Sequence, residues 1–463
     1  MASKNKKSTV SMTALFVPEI KSLLSEKKFS ELKSLLSRIP SIDIAGRWHN
    51  FSDQEKILIF KLSSIRLTVE LFEALRFEEQ AFLLNNLDNA EVSQVLNEMA
   101  PDDRANLFKD LTPKLMKKFF KLMKKEEVED VRELMTYAEG TAGAIMTTDF
   151  VELRKEMTAR TAILKLQDSL SFDHDLDINS NYVTDDGHKL QGVIELQDLI
   201  KAPPDMLIKD IMEGTDFIKI NEFDPEEEIA KLFQHYDLNI APVVDESEEL
   251  VGIITVDDIV DVIEKEVTED FEKIAAVLPV EKPYMEANFF NLVWKRSFWL
   301  IVLVLVESMS AFVLKMNNQT IQNMLALTFF VPILIAMGGN AGTQSATIII
   351  RSLAVGDIGV KDFLKVVSRE SLLGVCMGVT VAVVGSIIVA ILEKNWHLSL
   401  VVGISMGITI FLAAAVGASL PIIFRRLKWD PALMSGPLIA TIVDIVGLVI
   451  YFKVALLILP ALQ

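Results

Sequence analysis

Apolar residues change their spacing along the chain, and each spacing predicts a different kind of structure. From about residue 16 to 137 they recur at three and four positions, as in LFEALRFEEQAFLLNNL and DDRANLFKDL, with Asp or Pro at the turns (MAPDD, LTPK). That pattern predicts short amphipathic helices and a helical domain over residues 1–137. Between about 138 and 256, short apolar runs alternate with helical ones, and the order repeats. Ile145-Met146 returns as Ile211-Met212, and Gly192-Val-Ile-Glu-Leu-Gln-Asp-Leu-Ile returns as Gly252-Ile-Ile-Thr-Val-Asp-Asp-Ile-Val. Each copy reads as β-α-β-β-α, with a polar turn between apolar strands (VTDDGHKLQGVI, VVDESEELVGII). An internal duplication over 138–202 and 203–256 follows. Residues 257–274, DDIVDVIEKEVTEDFEKI, continue as one amphipathic helix that opens a connecting segment, 257–291. In the remainder, 292–463, the stretches 294–314, 321–350, 367–392, 398–424 and 432–459 are each apolar and long enough to cross a bilayer. Crossing as a helix takes roughly 20 residues.

Charge sharpens this picture because it is so unevenly placed. The 463 residues carry a net charge of −18, and residues 205–286 alone hold 24 acidic against 6 basic side chains, so the rest balances. Such acidity argues against nucleic acid as a partner, since phosphates would be repelled, and points toward cations. Around the spans, Lys295, Arg296, Arg351, Lys361, Lys365, Arg369, Arg425, Arg426 and Lys428 lie on one side, with Lys315 and Lys394 on the other. The bias places the N-terminal part in the cytoplasm and, after five spans, the C-terminus outside. The basic start of the chain lacks a long apolar core and a small-residue cleavage site, so no signal peptide is expected. The single cysteine, Cys376, lies in an apolar run and excludes an intrachain disulfide.

Within the spans, ionisable and polar residues mark candidate chemistry, because burying them in lipid is costly. Asp444 lies midway along the last span among Gly436, Pro437, Ala440, Thr441 and Gly447, and Glu307 lies midway along the first. The second span contains VPILIAMGGNAGTQSATIIIR, with Gly338, Gly339 and Gly342 around Asn340, then Thr343, Gln344, Ser345 and Thr347. It reads as a glycine-rich break at membrane depth, tolerated where it lines a watery cavity; the alternative is a glycine-lined crossing of packed helices. Carbonyls, amide oxygens and one carboxylate are hard ligands suited to Mg²⁺ or Ca²⁺.

The duplicated region resembles a tandem pair of CBS modules, a family of regulatory platforms that often bind adenine nucleotides. Gly252, Thr255 and Asp258 fit that family's nucleotide motif, while the first copy has Glu195 in the hydroxyl position, so the resemblance implies ATP as a possible regulatory ligand of the second copy. On the helix that follows, Asp258, Asp261, Glu269 and Glu272 share one face, bordered by Glu266 and Asp270.

The order of helical domain, CBS pair, acidic helix and five spans, with GGNAGTQSAT in the second and DPALMSGPLIATIVDIVGLVIY in the fifth, resembles the MgtE family of magnesium channels from about residue 60 onward. TAGAIMT at 141–147 supports the likeness. It implies a multidomain membrane protein: an all-α superhelical cytoplasmic N domain, an α/β tandem CBS domain and a five-helix α transmembrane domain. It also implies a plasma-membrane homodimer with one Mg²⁺ pore on the two-fold axis. The family's pore carboxylate matches Asp444, with Ala440, Gly339 and Thr347 around the ion beside Asn340 and Thr343. The Mg²⁺-sensing acids of the connecting helix match Asp258, Asp261, Glu266, Glu269 and Asp270, and Asp430 matches a further acid at the membrane. Thr343 and Gly436 stand where the family commonly or in some members has Asn.

Three activities compete on this sequence. A Mg²⁺ channel closed by cytoplasmic Mg²⁺ fits all the parts. A broader divalent (Mn²⁺ or Co²⁺) or ion-coupled transporter would use Glu307. A CBS-based membrane sensor without flux would not need the polar second span. An enzyme is not expected, since the sequence has no nucleophile–base arrangement, metalloprotease helix or P-loop.

Overall fold

The computed structural model describes residues 6–172, 176, 178–214, 217–280, 284–285, 287–433 and 436–459; Met434 and Ser435 of the fifth-span motif lie outside the described residues. The chain divides into two compact units, 1–263 and 264–463.

The first unit opens with short helices from Lys6 to Leu134. Their starts are specified locally. Ser52 and Asp88 form capping boxes with Glu55 and Glu91, and Pro101 and Pro113 occupy first helical positions. Their apolar faces meet in one core that includes Leu32, Leu36, Ile59, Leu71, Phe72, Leu83, Leu96 and Phe108.

The duplicated region follows as two sheets of three strands. In the first, β1 (Glu152–Arg154) runs parallel to β2 (Ser180–Thr184), which pairs antiparallel with β3 (Leu190–Glu195). In the second, β4 (Ile220–Asn221), β5 (Ile240–Val244) and β6 (Leu250–Thr255) repeat that arrangement. Helices α1 (Ala159–Phe172), α2 (Leu196–Lys201) and α3 (Glu226–Tyr236) occupy the expected places. The repeated Ile-Met pair explains itself as an exchange. Thr147, next to Met146, exchanges backbone hydrogen bonds of 2.9 and 3.0 Å with Ile253 in the other copy, and Glu213, next to Met212, does so with Val193. The repeated glycines make room for this crossing. A Cβ on Gly252 would lie 2.7 Å from Met146 Sδ and 2.9 Å from the Thr147 carbonyl oxygen, and one on Gly192 would lie 2.5 Å from the Glu213 carbonyl oxygen. Repeat and packed module are therefore out of step along the chain. The last helix here, α4 (Val256–Ile274), is continuous for 19 residues, as the amphipathic pattern predicts.

The second unit contains, among the described residues, five helices long and apolar enough to cross a membrane. They are α5 (Phe289–Met316), α6 (Ala326–Ala354), α7 (Phe363–Glu393), α8 (Trp396–Arg426) and α9 (Gly436–Ile458). The second predicted span is shorter at its start, because residues 318–323 form a separate turn of helix. Helix α8 is the centre, packed on α6, α7 and α9. Only 6% of α5's apolar window is buried, against 56% of α8's, so α5 stands at the edge of this unit. The glycine-rich break expected in the second span is absent: α6 runs unbroken from Ala326 to Ala354. Neighbouring helices explain its glycines. A Cβ on Gly338 would lie 2.8 Å from Thr409 Cγ2 and 2.9 Å from Val443 Cγ1, and one on Gly342 would lie 3.0 Å from Ile439 Cγ2. Small residues let α6, α8 and α9 approach closely, which is how helices gain packing where no water drives them together.

Candidate functional site

The membrane unit builds its candidate site where α6 crosses α9. A Cβ on Gly339 would lie 3.1 Å from Ala440 Cβ and 3.7 Å from Asp444 Oδ1, so Gly339, Ala440 and Asp444 are neighbours across the crossing. Asp444 Oδ1 is buried and has no hydrogen-bond partner. An orphaned carboxylate oxygen is expensive unless a cation or water completes it, and a hydrated hard dication suits it. Glu307 on α5 is half-buried and close enough to Asp444 to interact with it electrostatically.

Asn340, Gln344, Thr347 and Arg351 are exposed and lie on one side of α6, at intervals of four, three and four residues. The neighbouring positions Gly338, Gly339, Ala341, Gly342, Ser345 and Ala346 are buried against the other helices. The single chain thus presents a polar stripe on a membrane helix. Thr343 does not join it as a free ligand: its hydroxyl donates to the Gly436 carbonyl at 3.2 Å, and a Cβ on Gly436 would lie 2.7 Å from Thr343 Cγ2. The two departures from the family pattern are one contact. Because α6 is unbroken, the Gly339 backbone sits within a helical ladder rather than in an opened loop.

One buried carboxylate in this unit escaped sequence reading. Glu370, on α7, is 9% exposed and accepts a 2.8 Å hydrogen bond from Ser345, itself 2% exposed. Its position one residue after Arg369, in the basic flank of the third span, hid it.

The six acids expected on the connecting helix and at Asp430 fall into two settings. Asp258 and Asp261 belong to the first unit, where the acids opposite them come from the helical domain. Burial and the neighbouring Asp103 carboxylate raise the pKa of Asp102 to about 6; burial and Asp102 raise that of Asp258 to about 7. Asp103 is raised too, by desolvation and by Asp258, Asp261 and Asp257, although its side chain still reaches solvent. Mutual repulsion of this kind calls for a cation between them. Asp102 and Asp103 were visible in the sequence only as the turn MAPDD that starts a helix. Glu269 and Asp430 lie in the second unit, joined by Lys273, whose ammonium is 2.6 Å from Glu269 Oε1 and 2.6 Å from Asp430 Oδ2. Glu266 and Asp270 lie on the same stretch of α4 and are also engaged in interactions. Among the described residues, no three acidic, imidazole or thiol side chains converge as a ready-made metal cage.

In the nucleotide motif, Thr255 Oγ1 donates to Asp258 Oδ2 at 2.7 Å, and Met146 packs against Gly252. An open cleft of the CBS pair, about 690 Å³, is lined by Tyr182, Glu195, Asp198, Glu213, Phe217 and Tyr236, among others.

Comparison with known proteins matches three families along the chain. The profile described as MgtE, divalent cation transporter, matches residues 331–454; the MgtE intracellular N domain matches 39–140; and the CBS domain matches 142–205 and 208–265. The magnesium transporter MgtE of Thermus thermophilus is 34% identical over 443 residues, covering 95% of this chain and 97% of that protein. The magnesium transporter MgtE of Bacillus subtilis is 31% identical over 437 residues, covering 94% and 95%. Among solved structures, the cytosolic domain of the Mg²⁺ channel MgtE in complex with ATP matches with a TM-score of 0.50 at 29% identity, over 52% of this chain and 98% of that one. The soluble part of a magnesium transporter matches with a TM-score of 0.50 at 28% identity, over 54% and 97%.

Proposed function

The chain belongs to the MgtE family, a multi-pass membrane protein with a cytoplasmic N domain, and from that premise we propose that it conducts Mg²⁺ into the cytoplasm through a pore lined by α6 and α9. The observation that carries this reading is Asp444: a carboxylate with an orphaned oxygen, walled by Gly339 and Ala440, beside a helix that exposes a polar stripe. Asn340, Gln344 and Thr347 cannot face lipid without cost, so a second copy of the chain covers them. A two-fold axis there brings two stripes and two Asp444 side chains around one path. Mg²⁺ sheds water reluctantly and is held by one or two carboxylates with its remaining waters. Two facing carboxylates repel, and a hydrated dication relieves that repulsion better than Na⁺ or K⁺ does. The C-terminus then lies outside.

We assign gating to the acids of the cytoplasmic half. Asp102, Asp103, Asp258 and Asp261 form one repelling group; Glu269 and Asp430, joined through Lys273, lie in the second unit with Glu266 and Asp270. Cytoplasmic Mg²⁺ bridging them favours the compact, closed arrangement. A weak site filled at ten times its dissociation constant contributes about 1.4 kcal/mol to the state that has it, and a full switch needs about 5.5, so roughly four such sites suffice. Adenine nucleotide is assigned to the 690 Å³ cleft, with Asp198 accepting from ribose hydroxyls, supported by the relative solved with ATP.

The test is flux into liposomes holding the purified protein, comparing Mg²⁺, Mn²⁺, Ca²⁺ and Na⁺, for wild type and Asp444→Ala. Mg²⁺ flux in wild type and its loss in a folded Asp444→Ala dimer are expected. Equal flux in the two proteins sinks the pore assignment.

A further inference from the structure

The gating reading treats Glu269 and Asp430 as acids that a divalent cation draws together. The structure shows them already joined by a cation that the chain carries itself. Lys273 stands one turn beyond Glu269 on α4 and reaches Asp430 near the start of α9, with both contacts at 2.6 Å. The three side chains are only 20, 30 and 34% exposed. Asp430 is held for this role, since its other oxygen accepts from the Ala432 amide at 2.8 Å. The bridge also has apolar support: Ile274, the next residue, packs with the cluster that contains Ala432, Ile439 and Phe424. Burial pulls the Lys273 ammonium down, but its bonds to Asp430 and Glu269 outweigh this and hold it above the ordinary lysine range.

We propose that Lys273 is a built-in stand-in for the regulatory cation at the Glu269–Asp430 position, holding the end of α4 on the membrane unit when Mg²⁺ is scarce and competing with Mg²⁺ for the same two oxygens. The inference rests on the gating assignment above and deepens it. One ammonium between two carboxylates leaves a net charge of −1, whereas Mg²⁺ in its place leaves none. The lysine therefore satisfies the pair only partly, and the dication satisfies it fully. A tethered cation also cannot diffuse away, so it sets a floor under the closed population that no change in cytoplasmic Mg²⁺ removes. Mg²⁺ must displace it, which weakens the apparent affinity of this position and spreads the response over a wider concentration range. Only the difference between the two states matters, and the lysine contributes to the closed one.

The variants are Lys273→Met and Lys273→Arg in the full-length protein. Two readouts serve: open probability with cytoplasmic-face Mg²⁺ varied, and spin-label distances between Thr268→Cys and Leu427→Cys in a Cys376→Ser background. In Mg²⁺-free buffer, Lys273→Met should lower the ratio of closed to open channels roughly fivefold, in keeping with one half-buried ion pair, and broaden the distance distribution. At saturating Mg²⁺ it should match wild type on both readouts, and Lys273→Arg should behave as wild type throughout. Unchanged distances and open probability in Mg²⁺-free Lys273→Met would overturn the proposal. So would a defect that persists at saturating Mg²⁺, because that marks a support rather than a stand-in. If wild type itself ignores Mg²⁺, the gating assignment fails, while the Mg²⁺-free distances still decide what Lys273 holds.

Discussion

Two carboxylate settings in this chain make opposite use of the same chemistry. At the α6–α9 crossing, Asp444 stands beside Gly339 and Ala440, with Glu307 as its acidic neighbour. In the cytoplasmic unit, Asp102, Asp103, Asp257, Asp258 and Asp261 crowd one another. On the proposed function, a conduction site must release what it binds, so few acids suffice. A sensor must change the balance between two arrangements, and that takes several acids whose repulsion the ion cancels. On that reading, carboxylate density separates passage from control.

The largest expected effect tests this contrast directly. Asp444→Ala should lower Mg²⁺ flux by roughly a hundredfold, the loss of about 3 kcal/mol of ion stabilisation. Asp258→Ala should leave the maximal flux unchanged and alter only its Mg²⁺ dependence. Single-channel recordings showing reduced conductance in Asp258→Ala would break the division of labour.

Next in size is the pH response of the acidic group. Asp102 and Asp258 titrate near 6 and 7 in the folded protein, above their ordinary range near 4, so the folded state binds more protons than the unfolded one. The sign follows: without Mg²⁺, stability falls as pH rises from about 4 to about 7, on the order of 2 kcal/mol. Calorimetry on residues 1–274 in EDTA should show lower stability at pH 7.5 than at pH 5.5, and Mg²⁺ should shrink that difference. Stability that rises over this window would remove the repulsion on which the sensor assignment rests.

A smaller effect is expected at Glu370. Glu370→Ala leaves the buried Ser345 hydroxyl without its acceptor, which costs about 1–3 kcal/mol. Because Ser345 sits behind Gln344 and Thr347 on α6, flux should fall severalfold while selectivity among divalents persists. Glu370→Gln, which keeps an acceptor oxygen, should recover most of the thermal stability in detergent. Identical melting of all three proteins would make Glu370 dispensable. The smallest effect concerns nucleotide: titration calorimetry with ATP should weaken about tenfold in Asp198→Ala, for a lost hydrogen bond to carboxylate, and little in Asp258→Ala. The reverse order returns the site to Gly252–Asp258.

Much of the fold could be read from the sequence because its signals are local. The apolar spans, the repeated Ile-Met and Gly segments and the acidic helix are each visible within a few turns of chain, and the observed helices match them closely. What could not be read depends on partners far along the chain. The glycines of α6 looked like a break because nothing local distinguishes a break from a crossing; Thr409, Val443 and Ile439 on other helices decide it. Asp102 and Asp103 look like an ordinary helix start until the second module brings Asp258 and Asp261 near them. Asp444 stands out in the sequence because a lone acid in an apolar run needs no partner to be conspicuous. Nothing local in the sequence distinguishes Lys273, which pairs with Asp430 157 residues further along the chain.

The exchange of Ile-Met segments between the two modules has a consequence for how the region can be taken apart. The strand-like segment at Thr147 adds to the sheet containing Ile253, and the one at Glu213 adds to the sheet containing Val193. A gene truncated between the repeats, near residue 203, would therefore give two halves that each lack an edge the other still carries. Gly192 and Gly252 would face empty notches, and each half would expose a bare row of backbone donors and acceptors, the kind of edge that recruits other chains into aggregates. The pair should therefore unfold as a single cooperative piece, even though its sequence counts as two.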